Sequence, residues 1–279
     1  MTMEMQQETA TAQPVIRPLD GPFGAEVIGV DLRDNLSEET VHALNQALLD
    51  NIVLVIRDQD LSAEEFRDGV SIFGEPMLQH RLAFRLPDCP EVSRIINREK
   101  MRPAAMWHTD HTNHEEPPKA TILYARKLPS EGGDTCFADM YAGLEQLDAE
   151  SRNRIAALHT TNHMESDNPT YSDEDRAAYD AGARHPMVRT HPETGRKALY
   201  FHLSKASGID GMEQADVRPF LEGLLDQAVR PENTLRHHWK LGDIVICDNR
   251  CAMHRADPNY DQAEERLLWR IILKGDRPA

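Results

Sequence analysis

The chain of 279 residues is poor in the features that would draw it to a polyanion or a membrane. Only 31 lysines and arginines stand against 47 aspartates and glutamates, a formal net charge of −16, so the surface repels phosphate backbones and anionic lipid heads. No apolar run approaches the ~20 residues of a membrane span, and the opening stretch has neither the basic nor the apolar region of a signal peptide. These absences argue against nucleic-acid and membrane roles and for a cytoplasmic location. Cysteine is sparse as well. Cys89, Cys136, Cys247 and Cys251 form no Cys-x-x-Cys pair and no spacing of a disulfide framework or structural zinc site, so they read as reduced thiols. Internal repeats and composition shifts that would mark a second domain are also missing.

What remains is enough for one substantial core. Residues 1–14 are polar, rich in Gln and Thr and aperiodic, a disordered leader by composition; 15–279 then form a single domain, for which 40% hydrophobic content suffices. Val15 to Val30 reads as two short strands broken at Asp20-Gly21-Pro22, and Ile52 to Ile56 as a buried strand. Ser37 and the Ser62-Ala63-Glu64-Glu65 signature start helices that end near Asn51 and at Gly74. Strand-like pieces at Ser93–Ile96, Ala120–Ala125 and Thr135–Ala138 suggest a meander, and Tyr141 to Leu158 has helical character. Residues 164–184 are charged and aperiodic, which predicts a lid or partly mobile loop. Beyond them Met187–Thr190 and Ala198–Phe201 flank a turn, Gln214–Ala228 is a helix, and Thr234–Trp239, Asp243–Cys247 and Arg266–Lys274 are regular strands, the first two joined at Leu241-Gly242. The pattern is mainly β with flanking helices, a barrel or sandwich.

Met106-Trp107-His108-Thr109-Asp110 holds the only His-x-Asp of the chain. Among 13 histidines one such match is expected about once by chance, so the pair alone is a weak signal. Its context adds weight: in an extended segment residues two apart face the same side, and an imidazole nitrogen and a carboxylate oxygen can meet at one cation. A third ligand must come from elsewhere. His254 is best placed, after the Asp243–Cys247 strand and the turn residues Asp248-Asn249-Arg250. Two neutral imidazoles and one carboxylate suit Fe(II) and leave three positions for a bidentate co-substrate and dioxygen. The plain alternative is a satisfied core histidine and a turn aspartate.

The chain resembles the taurine dioxygenase and 2,4-dichlorophenoxyacetate dioxygenase (TauD/TfdA) family of Fe(II)/2-oxoglutarate enzymes. The resemblance rests, in family order, on Trp107-His108-Thr109-Asp110, Glu131-Gly132-Gly133-Asp134-Thr135, Arg189 through Gly195, Gly242 through Arg250 on to His254-Arg255, and Arg266 with Arg270. It implies a double-stranded β-helix (jelly-roll) core, with His108, Asp110 and His254 as iron ligands at its open end. Thr135 and Arg266 would hold the distal carboxylate of 2-oxoglutarate; an arginine suits that task because its planar fork donates two parallel hydrogen bonds and stays charged. Arg270 would meet an anionic group of the primary substrate, with His111 and His80 as further substrate contacts. The implied reaction consumes O2 and 2-oxoglutarate, releases succinate and CO2, and hydroxylates a small, anionic organic substrate, with C–O or C–S cleavage where the carbon bears a heteroatom. A desaturase or other oxidative tailoring enzyme would use the same iron site. Homo-oligomers occur in such a family. Two other classes stand beside this reading: a zinc hydrolase built on His108, His111 or His114, and a binding protein that keeps the fold without catalysis.

Overall fold

The computed structural model describes residues 14–78, 82–97, 104–165, 168 and 171–279. The disordered leader expected at the amino terminus, up to residue 13, and His80 lie outside the described residues. Two sheets carry the architecture. The larger runs, neighbour to neighbour, through Val15–Pro18, Ala25–Ile28, Val53–Ile56, Ile244–Asp248, Ala120–Lys127, Leu267–Leu273 and Pro76–Met77, with Ser93–Ile96 also pairing onto Leu267–Leu273. The smaller places Thr135–Asp139 between Thr234–His237 and Ala252–Ala256, antiparallel to both.

Strand alternation divides the core between two faces of the larger sheet. Val53, Val55, Val245 and Cys247 point toward the smaller sheet and meet Phe137, Leu235 and Met253. Leu54, Ile56, Ile122, Tyr124, Ile244 and Ile246 point the other way and bury against Leu44 and Leu48 of the helix Glu38–Asn51 and Phe66 of the helix Ala63–Val70. Each fully buried aliphatic side chain contributes ~1.5–3 kcal/mol, so these two layers dominate stability. The result is a jelly-roll core with helices outside it. Both helices begin where capping chemistry predicts: Ser37 accepts from the Thr40 N–H, and Ser62 with Glu65 forms a reciprocal capping box.

Two expectations change and two are refined. Consecutive strands in the middle of the chain do not pair with one another: Ser93–Ile96 joins Leu267–Leu273, Ala120–Lys127 lies between Ile244–Asp248 and Leu267–Leu273, and Thr135–Asp139 belongs to the smaller sheet, so there is no meander. The expected joint at Leu241-Gly242 is present, and it carries the chain from the smaller sheet to the larger. Gly242 sits there at φ 85°, where a Cβ would come within 2.8 Å of the Gln59 backbone, so only glycine passes. The helical character of Tyr141 to Leu158 resolves into two helices, Met140–Gln146 and Ala149–Ile155, because Asp148 turns its side chain to the Ser151 N–H and caps a new start. Finally, residues 164–184 contain a capped helix, Asp173–Tyr179, and lead into the strand Ala183–Pro186. No helix among the described residues is long and apolar enough to cross a membrane, and all four cysteines are buried free thiols.

Candidate active site

The segment carrying His108 docks beside the end of the smaller sheet through two backbone hydrogen bonds: His108 N–H donates to the His254 carbonyl at 3.1 Å and His254 N–H to the His108 carbonyl at 2.7 Å. That local ladder sets the two imidazoles side by side, with ring centroids 4.3 Å apart. Asp110 returns to the same point. Its Oδ1 lies 4.0 Å from His108 Nε2 and its Oδ2 4.0 Å from His254 Nε2, and one ligand atom from each of the three lies within 4.8 Å of the others. His108 Nδ1 pairs with the Met106 carbonyl at 2.8 Å, which puts the ring hydrogen on Nδ1 and leaves the Nε2 lone pair toward the cluster.

Electrostatics suit a cation. Burial lowers the pKa of both imidazoles, that of His254 to about 3, so both are neutral ligands near pH 7. For Asp110 burial works the other way, but Arg270, with Nη1 3.6 Å from Oδ1, holds the carboxyl well below its ordinary value. Thr121 adds a hydrogen bond to Asp110 Oδ2 at 2.5 Å, and Asn249 Nδ2 donates to that hydroxyl at 2.8 Å. The donor set, two imidazole nitrogens and one carboxylate on one face, fits Fe(II) with its remaining positions open.

A second buried group, His191, Asp248 and Cys251, has metal-like spacing. Its chemistry is different. Arg250 grips Asp248 with Nε to Oδ1 at 2.9 Å and Nη2 to Oδ2 at 2.6 Å, while His191 Nε2 stands 3.1 Å from Oδ2. A guanidinium already occupies the place of a cation, so this cluster is a tie that holds the Asp248–Cys251 turn ahead of His254. Neither His111 nor His114 joins a ligand cluster among the described residues.

Arg266 and Thr135 come together across the two sheets. Arg266 is 1% exposed, yet among the described residues it has no carboxylate partner: Nε donates to the Gly133 carbonyl at 2.8 Å and Nη2 lies 3.4 Å from Thr135 Oγ1. Gly133, at φ 73°, lets the arginine stem pass where a Cβ would stand 3.2 Å from it. Burial lowers the guanidinium pKa to about 10, which still leaves it charged at neutral pH. Trp239 Nε1 donates to Thr135 Oγ1 at 3.0 Å, freeing the threonine hydrogen for a ligand. A buried, uncompensated guanidinium beside a free hydroxyl fits the distal carboxylate of 2-oxoglutarate.

The triad, Thr135, Arg266, Arg270 and His111 all line one cavity of about 160 Å³. His111 holds a left-handed backbone at φ 52°, a strain of the kind found at working sites. Sequence reasoning did not find Thr121, His202 or Lys205, which line the same cavity, nor the supporting Asn249. Asn249 lay inside a motif already singled out; the others sit in no motif, and only the fold brings them in.

The family described as taurine catabolism dioxygenase TauD, TfdA matches residues 15–272. The (S)-phenoxypropionate/alpha-ketoglutarate-dioxygenase of Sphingobium herbicidovorans is 32% identical over 277 residues, covering 94% of this chain and 95% of that protein. An alpha-ketoglutarate-dependent sulfate ester dioxygenase of Pseudomonas putida is 31% identical over 281 residues, covering 94% and 90%. Among solved structures, a taurine dioxygenase from Burkholderia xenovorans superposes with a TM-score of 0.82 at 33% identity, over 96% of this chain and 91% of that one. AAD-2 in complex with Mn(II) and N-oxalylglycine gives a TM-score of 0.81 at 31% identity, over 96% and 99%. With these relatives and this cavity, the chain belongs to the TauD/TfdA family and is an alpha-ketoglutarate-dependent dioxygenase that works with Fe(II), 2-oxoglutarate and O2.

Proposed function

We propose that His108, Asp110 and His254 hold the iron, that Thr135 and Arg266 hold the distal carboxylate of 2-oxoglutarate, and that Arg270, with His111 nearby, receives a small organic anion as primary substrate. The observation that carries this reading is a fully buried Arg266 with no carboxylate partner among the described residues, in one cavity with a buried His-Asp-His cluster. The substrates for which the relatives are named, phenoxypropionate and sulfate esters, support a small anion. Bound Fe(II), with 2-oxoglutarate and O2, supplies the oxidising chemistry that hydroxylates a substrate C–H bond and yields succinate and CO2.

The chain's own groups do the positioning. Arg266 and Thr135 fix one end of 2-oxoglutarate, so its keto acid end reaches the triad in one register. Neutral His108 and His254 bind metal without first losing a proton. Leu123 and Leu268 present apolar walls that exclude water. Where the hydroxylated carbon also bears oxygen or sulfur, the product collapses and the substrate is cleaved.

The test is substrate-stimulated succinate release over a panel of aryloxy acids, sulfonates and sulfate esters. One class is expected to stimulate, and Arg270→Ala to raise the KM for that anion more than the KM for 2-oxoglutarate. Arg266→Ala is expected to do the opposite. Reversal of the two patterns would exchange the assignments, and stimulation only by uncharged analogues would remove the anion.

A further inference from the structure

We infer that Lys205 is a specificity-determining residue, an ammonium group that meets the oxyanion of the primary substrate from the cavity wall formed by residues 202–205. The inference rests on the reading that this cavity takes an anionic substrate, and it names a second cation for it. Lys205 is 5% exposed and lines the cavity. Among the described residues its Nζ makes one hydrogen bond, to Asn113 Oδ1 at 2.7 Å. Asn113 in turn donates Nδ2 to the Tyr179 carbonyl at 2.9 Å, which fixes its oxygen toward the lysine. An amide oxygen satisfies one of three N–H donors and none of the charge.

Of the cavity's other cations, Arg94 is exposed, while the more buried Arg266 and Arg270 are placed differently from Lys205. Arg270 has a carboxylate 3.6 Å away in Asp110, and Arg266 already faces the co-substrate pocket with Thr135. Lys205 has no carboxylate within ion-pair distance among the described residues. Glu165 shares the cavity but forms no ion pair with Lys205 among the described residues: its Oε1 accepts from the Ser204 hydroxyl at 2.9 Å, and its buried Oε2 has no hydrogen-bond partner there. Burying an ammonium without a counter-charge is costly, and a group that keeps that arrangement in a ligand cavity is matched to an anion that arrives with the ligand.

The neighbouring side chain reinforces the site. His202 Nδ1 accepts the backbone N–H groups of Ser204 and Lys205, both at 3.2 Å, so the ring hydrogen sits on Nε2 as a donor. The His202 ring lies 5.6 Å, centroid to centroid, from that of His108, which places this wall next to the metal cluster. An oxyanion between Lys205 and Arg270 would therefore hold the adjoining carbon near the triad. The chemistry recognised is that of a carboxylate, sulfonate or sulfate ester on an apolar stem; the uncompensated charge selects for the anion and against its neutral ester.

The experiment compares wild type, Lys205→Gln and Lys205→Arg, each loaded with Fe(II), with the anion varied at saturating 2-oxoglutarate and 2-oxoglutarate varied at saturating anion. Gln keeps a donor for Asn113 while removing the charge. The probes are (S)-phenoxypropionate, hexyl sulfate and the methyl ester of phenoxypropionate, read by succinate release. Lys205→Gln is expected to raise the KM for the stimulating anion tenfold or more, with the KM for 2-oxoglutarate and the anaerobic charge-transfer band unchanged, and Lys205→Arg to recover most of the loss. An unchanged KM for the anion in Lys205→Gln, or an equal rise in the KM for 2-oxoglutarate, overturns the role of Lys205 alone. Stimulation of wild type by the ester and not by either anion overturns the anionic substrate and this inference together.

Discussion

Asp110 is steered by a side chain that has no part in the His-x-Asp motif. Asn249 Nδ2 donates to Thr121 Oγ1, so the threonine hydrogen is committed to Asp110 Oδ2, and one carboxylate oxygen is held by a neutral donor. Such outer contacts orient a ligand and prevent it from swinging to chelate through both oxygens. Thr121→Val, nearly isosteric, is expected to weaken Fe(II) or Co(II) binding about 10–100-fold, and Thr121→Ser to restore it. Competition with a chromophoric chelator measures this directly, and wild-type affinity in the valine variant would refute it. His108 and Asp110 were legible because their spacing of two is itself chemistry on an extended chain. Thr121 was not: a strand threonine is ordinary, and its role depends on Asn249, far along the chain on a different turn.

At the scale of elements, the segment read as a loose lid contains an anchored helix. Ser172 and Asp175 form a reciprocal capping box at its start, and Asp175 Oδ1 also accepts the Leu82 N–H at 3.3 Å. At its end the Tyr179 carbonyl receives Asn113 and the Tyr179 hydroxyl receives Arg85 Nη2 at 3.0 Å. Helix Asp173–Tyr179 thus holds the polar loop after Asp110 in place. Ser172→Ala is expected to cost about 1 kcal/mol, seen as faster amide hydrogen exchange across the helix; unchanged protection would contradict the cap. The signal was present in Ser172-Asp173-Glu174-Asp175, the same form as the Ser62 signature that marked an earlier helix. It was obscured because Asp173 to Arg176 is a charge run with no apolar period. The helix that sequence periodicity marked well, Gln214–Ala228, is one whose own side chains, Val217, Leu221, Leu224 and Ala228, bury on a single face. Strand partners were unreadable for a different reason: pairing is a long-range choice, and neither Thr135–Asp139 nor Ile244–Asp248 states in its sequence which sheet it enters.

Across the whole molecule, buried histidines tie stability to acid. Burial, helped by Lys205, lowers His114 to about 4, and burial likewise lowers His185 and His237. The unfolded chain has ordinary imidazoles near ~6.5. Above that value neither state binds the proton, and the contribution is intact. As pH falls from about 6.5 toward the folded values, only the unfolded chain gains protons, and each such histidine removes up to ~1.4 kcal/mol per pH unit. The urea midpoint of the metal-free protein is expected to fall between about pH 7 and pH 5, and a rising midpoint would contradict the burial of these rings as neutral groups. The same burial keeps His108 and His254, the proposed iron ligands, neutral at pH 7.

The jelly-roll core brings residues from four distant segments, near 108, 135, 254 and 266, to one cavity, in which His108, Asp110 and His254 are the proposed iron ligands. Anaerobic titration of Fe(II) and 2-oxoglutarate into wild type, His108→Ala and His254→Ala, followed in the visible region, tests it most directly. A charge-transfer band is expected in wild type and lost in both variants; a band of full intensity in either variant would remove that histidine from the iron.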